Sequence, residues 1–260
     1  MFDANEAIEK IVTDMREKNP TGKAVIGISG GKDSTTVAYL AVKAYGKENV
    51  IGVMMPNGEQ KDIADSERVI KLLDIEGITI NIKGMYKDLT SRIADWYSGD
   101  NIPTQYSTNT PARLRMTTLY GIAAFFGGRV LNTCNRSEDV LGYSTLFGDS
   151  AGSYGPICDY TVSEVRQIGL ALGAPEDLVM KAPNDGMCGS TDEQNLSKML
   201  DIPNFTYERL DKLIRREEYD FTFAEIERIR ALYEKMKFKL EIIQMPHPDS
   251  GLQDYFKELD

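Results

Sequence analysis

The chain has 260 residues, 42% of them hydrophobic and 27% charged, with a formal net charge of −10. This length suits one α/β domain, or one domain with an appendage, and the charge sets the surface as a whole against nucleic acid. No apolar run approaches the ~20 residues of a membrane span, Met1 to Lys10 is acidic and amphipathic rather than a signal peptide, and Cys134, Cys158 and Cys188 form no C-x-x-C pair, so they are expected as reduced thiols in a cytoplasmic protein.

Ala7, Ile8, Ile11, Val12 and Met15 recur at helical spacing and predict a first helix. Ala24 to Ile28 reads as a buried strand and Thr35 to Ala44 as its crossover helix. Between them lies Gly27-Ile28-Ser29-Gly30-Gly31-Lys32-Asp33-Ser34. Glycines there let the backbone turn with positive φ and aim several N–H groups at one spot. The helix start adds partial positive charge. Ser29 and Ser34 add hydroxyls, and Asp33 adds a carboxylate able to hold Mg²⁺ beside phosphates. The loop is neither a Walker motif nor G-x-G-x-x-G. A plain glycine turn is the bland alternative, and it accounts for the glycine pair but not for the whole motif.

Val50 to Met54 is the next predicted strand, ended by Pro56-Asn57-Gly58, and Ile63 to Leu73 the next helix, with Ala64, Val69, Ile70 and Leu73 apolar. Ile78 to Ile82 reads as a third strand, Leu89 to Tyr97 and Pro111 to Phe126 as helices, and Arg129 to Leu131 as a short fourth strand. Everything from Thr161 onward reads as helices and loops, with a helical C-terminal part over roughly 190–260. The alternation implies an α/β, doubly wound parallel sheet flanked by helices, Rossmann-like, with ligands at the carboxyl ends of its strands. Residues 1–260 are expected to form a single domain.

Ser-Gly-Gly-x-Asp-Ser resembles the pyrophosphate loop of the N-type ATP pyrophosphatases, which cleave ATP between the α- and β-phosphates. Four further segments carry a narrower likeness: Met55 to Asp62, Asn109 to Met116, Thr133 to Glu138, and the loop with Gly148-Asp149. Lys181-Ala182-Pro183 and Thr191-Asp192-Glu193 extend it. In this order and spacing they resemble the ammonia-dependent NAD synthetases over roughly Ala4 to Leu240. The resemblance implies an adenine nucleotide alpha hydrolase-like fold and a two-step reaction. ATP adenylates the carboxylate of deamido-NAD, and free ammonia displaces AMP to give NAD.

It also implies roles. Gly27, Ile28, Ser29, Gly30, Gly31, Lys32, Asp33 and Ser34 would bind ATP, with Ser29, Asp33 and Ser34 at the reacting phosphates; Gln60 would meet adenine and Thr133 ATP. Asp33 and Glu138 would hold Mg²⁺, hard oxygens for a hard cation. Arg113, Asp149 and Lys239 would meet deamido-NAD. A homodimer built near Ser91 to Phe126 is implied, and Trp96, Tyr97, Tyr120, Phe125 and Phe126 give that region abundant aromatic surface, as core or as interface. No nucleic-acid or membrane partner is expected. Only about 23 residues precede the first strand, too few for an amidase domain, so free ammonia is the expected nitrogen source.

Each role has a competitor. Glu138 also fits a helix cap with Ser137, Gln60 an exposed turn, and Thr133 a satisfier of backbone groups. Arg113 and Arg115 point to different faces of one helix, so one of them is left for the surface or a subunit contact. The chain departs from the family pattern at Met54, Leu146, Ser153, Val162, Pro183 to Gly186, and Phe238. Phosphate and metal motifs are intact while pyridine-side positions diverge, which leaves room for a different acyl acceptor. A GMP-synthetase-like or tRNA-thiolating pyrophosphatase, or a nucleotide sensor without turnover, are the competing classes.

Overall fold

A computed structural model describes residues 2–60, 63–97, 101–181 and 191–240. Asp62, Ala182, Pro183 to Gly186, Cys188 and His247 lie outside the described residues, as does the tail after 240.

Four parallel strands run in the order β3-β2-β1-β4: β1 Ala24–Gly27, β2 Val50–Met54, β3 Glu76–Thr79 and β4 Arg129–Val130. Side chains of the central strand alternate between two cores, as the period of two requires. Ala24 and Ile26 face α1 (Ala4–Lys18) and α2 (Lys32–Tyr45), whereas Val25 joins Ile51, Val53 and Val130 beneath α5 (Thr104–Phe126). The five apolar residues predicted for α1 are its buried face.

Two elements match the sequence reading to the residue: β2, and α3 (Ile63–Leu73). Others shift. α2 starts at Lys32, not Thr35, because Thr35 N–H already bonds to Gly31 O at 3.1 Å. On α3 only Ser66 and Val69 are buried, and Ala64 is exposed. The third strand is 76–79 rather than 78–82; it is an exposed edge, and Ile80 and Ile82 still donate to Met54 O and Pro56 O beyond its end. The helix expected over 89–97 is α4 (Lys83–Ala94). The helix expected from Pro111 begins earlier, at Thr104, and Pro111 sits buried inside it. Trp96 and Phe125, 84% and 96% exposed, are not core.

After β4 come α6 (Arg136–Leu141), α7 (Val162–Ala171), α8 (Glu176–Val179), α9 (Asp192–Leu200), α10 (Tyr207–Arg215) and α11 (Phe223–Met236). Leu141, Val162, Leu196, Leu200, Tyr207 and Phe221 belong to a third core that binds this helical layer together. A polar clamp ties α6, α7 and α10 together within it. The Ser137 hydroxyl donates to Asp211 Oδ1 at 2.5 Å, Ser163 N–H donates to Asp211 Oδ2 at 2.8 Å, and Val162 N–H donates to the Ser137 oxygen at 3.1 Å. Arg215 forks onto Glu164, whose carboxylate also takes the Thr161 N–H. Among the described residues no helix is long and apolar enough to cross a membrane.

Asp211 is 4% exposed and serves donors on two helices. Replacing it with alanine strands the Ser137 hydroxyl and the Ser163 N–H, so Asp211→Ala should lower unfolding free energy by about 2–4 kcal/mol. Urea denaturation will show this as a fall in midpoint.

Candidate active site

Sequence and steric demand fix the phosphate loop together. Ile28 N–H donates to Val53 O at 2.9 Å and ends the strand pairing; the chain then turns at Gly30, whose φ is +76°. A Cβ on Gly30 would lie 2.6 Å from Asp65 Cβ and 2.9 Å from Ser66 N, so α3 is packed against bare backbone there. The loop is cross-tied. Ser29 and Ser34 hydroxyls are 3.0 Å apart, Ser29 N–H donates to Ser34 Oγ at 3.2 Å, and Gly31 N–H to Ser29 Oγ at 3.3 Å. The two serines predicted to touch phosphate therefore also shape the turn, which opens on the N-terminus of α2. Lys181 closes this side with an ion pair to Asp65 at 2.7 Å.

α6 supplies the opposite wall. Asn135 caps it through its side-chain oxygen to Glu138 N–H at 3.1 Å, and Glu138 Oε2 returns the contact to Asn135 N–H at 3.4 Å. The capping role weighed for Glu138 is thus real, with Asn135 as partner in place of Ser137. The same Asn135 amide donates to Asp33 Oδ1 at 3.0 Å, across a sequence gap that hid it. Asp33 and Glu138 are brought together as expected, and Lys32 stands between them: its Nζ lies 2.7 Å from Asp33 Oδ2 and 3.9 Å from Glu138 Oε1. Burial works against the lysine charge, but Asp33 and Glu138 outweigh it and hold the Lys32 pKa above its ordinary value. Desolvation, then the charge of Asp33, pushes the Glu138 carboxyl up to about 8 despite Lys32. Two carboxyl groups meet here, and a divalent cation bound together with phosphate oxygens would hold both in the charged form.

The third wall is the loop after α6. Thr145 N–H donates to Asp149 Oδ1 at 2.9 Å, and Asn132 Nδ2 holds the Asp149 carbonyl at 2.8 Å. Gly152 presses so close that a Cβ would meet Asn132 Cβ at 2.5 Å. Arg113 is exposed on α5 and donates to Leu146 O at 3.2 Å. Lys239 donates to Gly142 O and Ser144 O, both at 2.8 Å; burial lowers its pKa while Asp149 opposes. Arg115 corrects the expectation of a surface or subunit contact. It donates to Met55 O at 3.0 Å at the end of β2, and burial lowers its pKa against the pull of Asp149. Gln60 and Thr133 are half-buried on the loops after β2 and β4, and Asn132 rather than Thr133 takes the Cys134 N–H, at 2.7 Å.

Sequence reasoning missed Asn135, Arg166 and Tyr207. Arg166 on α7 bears electrostatically on Lys32, and its Nε is buried without a hydrogen-bond partner among the described residues. Tyr207 lies under Lys32, with Nζ 5.9 Å from its ring centroid. Asn135 alone carried a signal, as an N-cap residue three positions before a glutamate. Val162, where the resemblance expects a lysine, is fully buried in the helical layer.

The comparisons with known proteins agree with this geometry. The family model described as NAD synthase matches residues 4–243. An NH(3)-dependent NAD(+) synthetase of Pyrococcus horikoshii is 38% identical over 244 residues, 84% of this chain and 93% of that protein. Among solved structures, an NMN synthetase from Francisella tularensis superposes with a TM-score of 0.83 at 28% identity, covering 95% of this chain and 99% of its own. An NH3-dependent NAD synthetase from Campylobacter jejuni, in complex with nitrate, gives 0.73 at 26% identity over 94% and 99%. The fold is the adenine nucleotide alpha hydrolase-like one of these neighbours, and the family model together with the Pyrococcus relative shows that the chain belongs to the NAD synthase family.

Proposed function

We propose that this chain amidates deamido-NAD with free ammonia at the expense of ATP, releasing NAD, AMP and pyrophosphate. The observation that carries this reading is the cross-tied Ser29–Ser34 loop set against the Asp33–Glu138 pair, in a chain 38% identical to an ammonia-dependent synthetase. The substrate carboxylate attacks the α-phosphorus, pyrophosphate leaves, and the adenylated carboxyl is then attacked by ammonia, which loses a proton as AMP departs. A free carboxylate resists amide formation, so adenylation supplies the leaving group.

The protein's work is positioning and charge stabilisation. Backbone N–H groups of Gly30 and Gly31 and the start of α2 receive the pyrophosphate. Arg166, one turn past Val162, brings the second fixed cation to that region. Asp33 and Glu138 would hold Mg²⁺, which when bound offsets charge on the departing pyrophosphate. Gln60 and Thr133 line the nucleotide side; Asp149, Arg113, Arg115 and Lys239 frame the acceptor side. We place the enzyme in the cytoplasm, as one catalytic domain whose Cys134 and Cys158 are unpaired. A homodimer would cover Trp96, Phe125, Tyr97 and Ile93, exposed at 84%, 96%, 45% and 39% on and beside α4 and α5.

A second reading concerns the acceptor alone. The likeness to an NMN synthetase, together with Leu146, Ser153 and Phe238 on the acceptor side, favours a mononucleotide carboxylate as competitor. Offered both acceptors with ammonium chloride, the purified chain should show the higher kcat/KM for deamido-NAD; a higher value for the mononucleotide installs the second reading, and equal rates with glutamine alone remove the ammonia assignment.

Glu138→Gln preserves the cap, since glutamine serves at that position, but removes a charged oxygen. Pyrophosphate release should fall by a factor of roughly 10² to 10³ with little change in melting temperature. Asp33→Asn should lose activity similarly and also melt earlier, because it strips a buried ammonium of its 2.7 Å partner. Light scattering should report twice the chain mass of 29.1 kDa, and Phe125→Asp should return a monomer.

A further inference from the structure

The Asp33–Glu138 pair has oxygens of two kinds. Asp33 Oδ1 and Glu138 Oε2 are committed to Asn135, at 3.0 and 3.4 Å. Asp33 Oδ2 and Glu138 Oε1 remain, and both face Lys32 Nζ, at 2.7 and 3.9 Å. A lysine whose only task is to grip phosphate leaves its head in the open mouth of the site, as long cationic side chains ordinarily do. This one is 3% exposed, with the fully buried Tyr207 ring beneath its ammonium. The oxygens that a divalent cation needs are the oxygens that this ammonium faces, one in hydrogen-bond contact and the other within ion-pair distance.

We propose that Lys32 is a resident counter-cation of the Asp33–Glu138 pair, which keeps the nucleotide-free protein from binding a divalent metal and yields the two oxygens when the metal arrives together with the polyphosphate. The proposal rests on the reading of Asp33 and Glu138 as metal ligands. An ammonium and a divalent ion compete for the same hard oxygens and repel one another strongly in a shielded site. The triphosphate changes the balance. Its charge offsets both cations, and its oxygens accept the ammonium protons that the carboxylates give up. Metal and nucleotide are thereby coupled, and the carboxylates are held apart from premature metal capture.

Mn²⁺ binding to the full chain, followed by the loss of its free-ion paramagnetic resonance signal, tests this without any turnover. Wild type should bind Mn²⁺ weakly alone and, with α,β-methylene ATP, should remove more free Mn²⁺ than the same nucleotide does without protein. Lys32→Gln should bind Mn²⁺ about tenfold or more tightly than wild type without nucleotide, and be stabilised by it against heat. Lys32→Arg, which keeps the charge, should stay weak. Equal Mn²⁺ affinity of wild type and Lys32→Gln overturns the proposal. Should Lys32→Gln not fold, Lys32→Leu takes its place with the same readout, and tight Mn²⁺ binding to wild type without nucleotide overturns the proposal outright. Glu138→Gln separates the two layers of the argument. If it binds Mn²⁺ with the nucleotide as well as wild type does, the metal assignment itself falls; if it is defective while Lys32→Gln matches wild type, only the role of Lys32 falls.

Discussion

A buried ammonium shared by two carboxylates is the constraint around which the rest of this molecule is arranged. Charges removed from water are tolerable only with partners held in good geometry. Here each partner comes from a different place. Lys32 and Asp33 are consecutive residues at the start of α2, and their charged groups meet at 2.7 Å. Glu138 comes from α6, more than a hundred residues on, and Asn135 bridges the two elements by bonding to both acids. Removing any one of the four leaves a buried charge or a buried donor without its complement.

That requirement explains the helical layer. α6 is six residues long and has little stability of its own. Its position is set from behind, where Ser137 is clamped by Asp211 of α10 and by Val162 N–H of α7. α10 also brings Tyr207 beneath Lys32. The layer after residue 160 is therefore part of the site's foundation and not an appendage to it: the phosphate loop belongs to the sheet, but the second carboxylate is placed by helices that never touch the strands' hydrogen bonding.

How much of this was legible follows from the range of the interactions. α1, β1, β2 and α3 stood in local periodicity, because their apolar residues face a core built by near neighbours. The bounds of α4 and the start of α5 did not. Their apolar residues Leu89, Ile93 and Phe125 point outward, so the pattern marks a surface rather than a core, and Pro111 disguised the first turns of α5. The third strand was misplaced because Ile78, Ile80 and Ile82 alternate past its end, while its first residues, Glu76 and Gly77, carry no apolar signal. In the site, the phosphate loop was legible as a contiguous motif. Arg166 and Tyr207 were not, since each acts only through a partner distant in sequence, and Asn135 showed its local cap but not its bond to Asp33. Arg115 was undervalued for the same reason: only the fold shows that its face of α5 meets the carboxyl end of β2.

The side proposed above for the acceptor obeys a different rule, and the difference fits the way the sequence diverges. Around Asp33 every contact is made by a specific side-chain group, so substitution there is costly. Around the 142–152 loop, the main supports end on backbone oxygens: Arg113 on Leu146, Lys239 on Gly142 and Ser144, Asn132 on Asp149 and Ala151. A carbonyl is the same whichever side chain it carries. The loop therefore keeps its shape whether position 146 is the lysine of the family pattern or the leucine found here, and its outward side chains are free to follow the acceptor. Adenylation chemistry and acceptor choice are thus held by different kinds of bond in one site, and only the second can drift without disturbing the first.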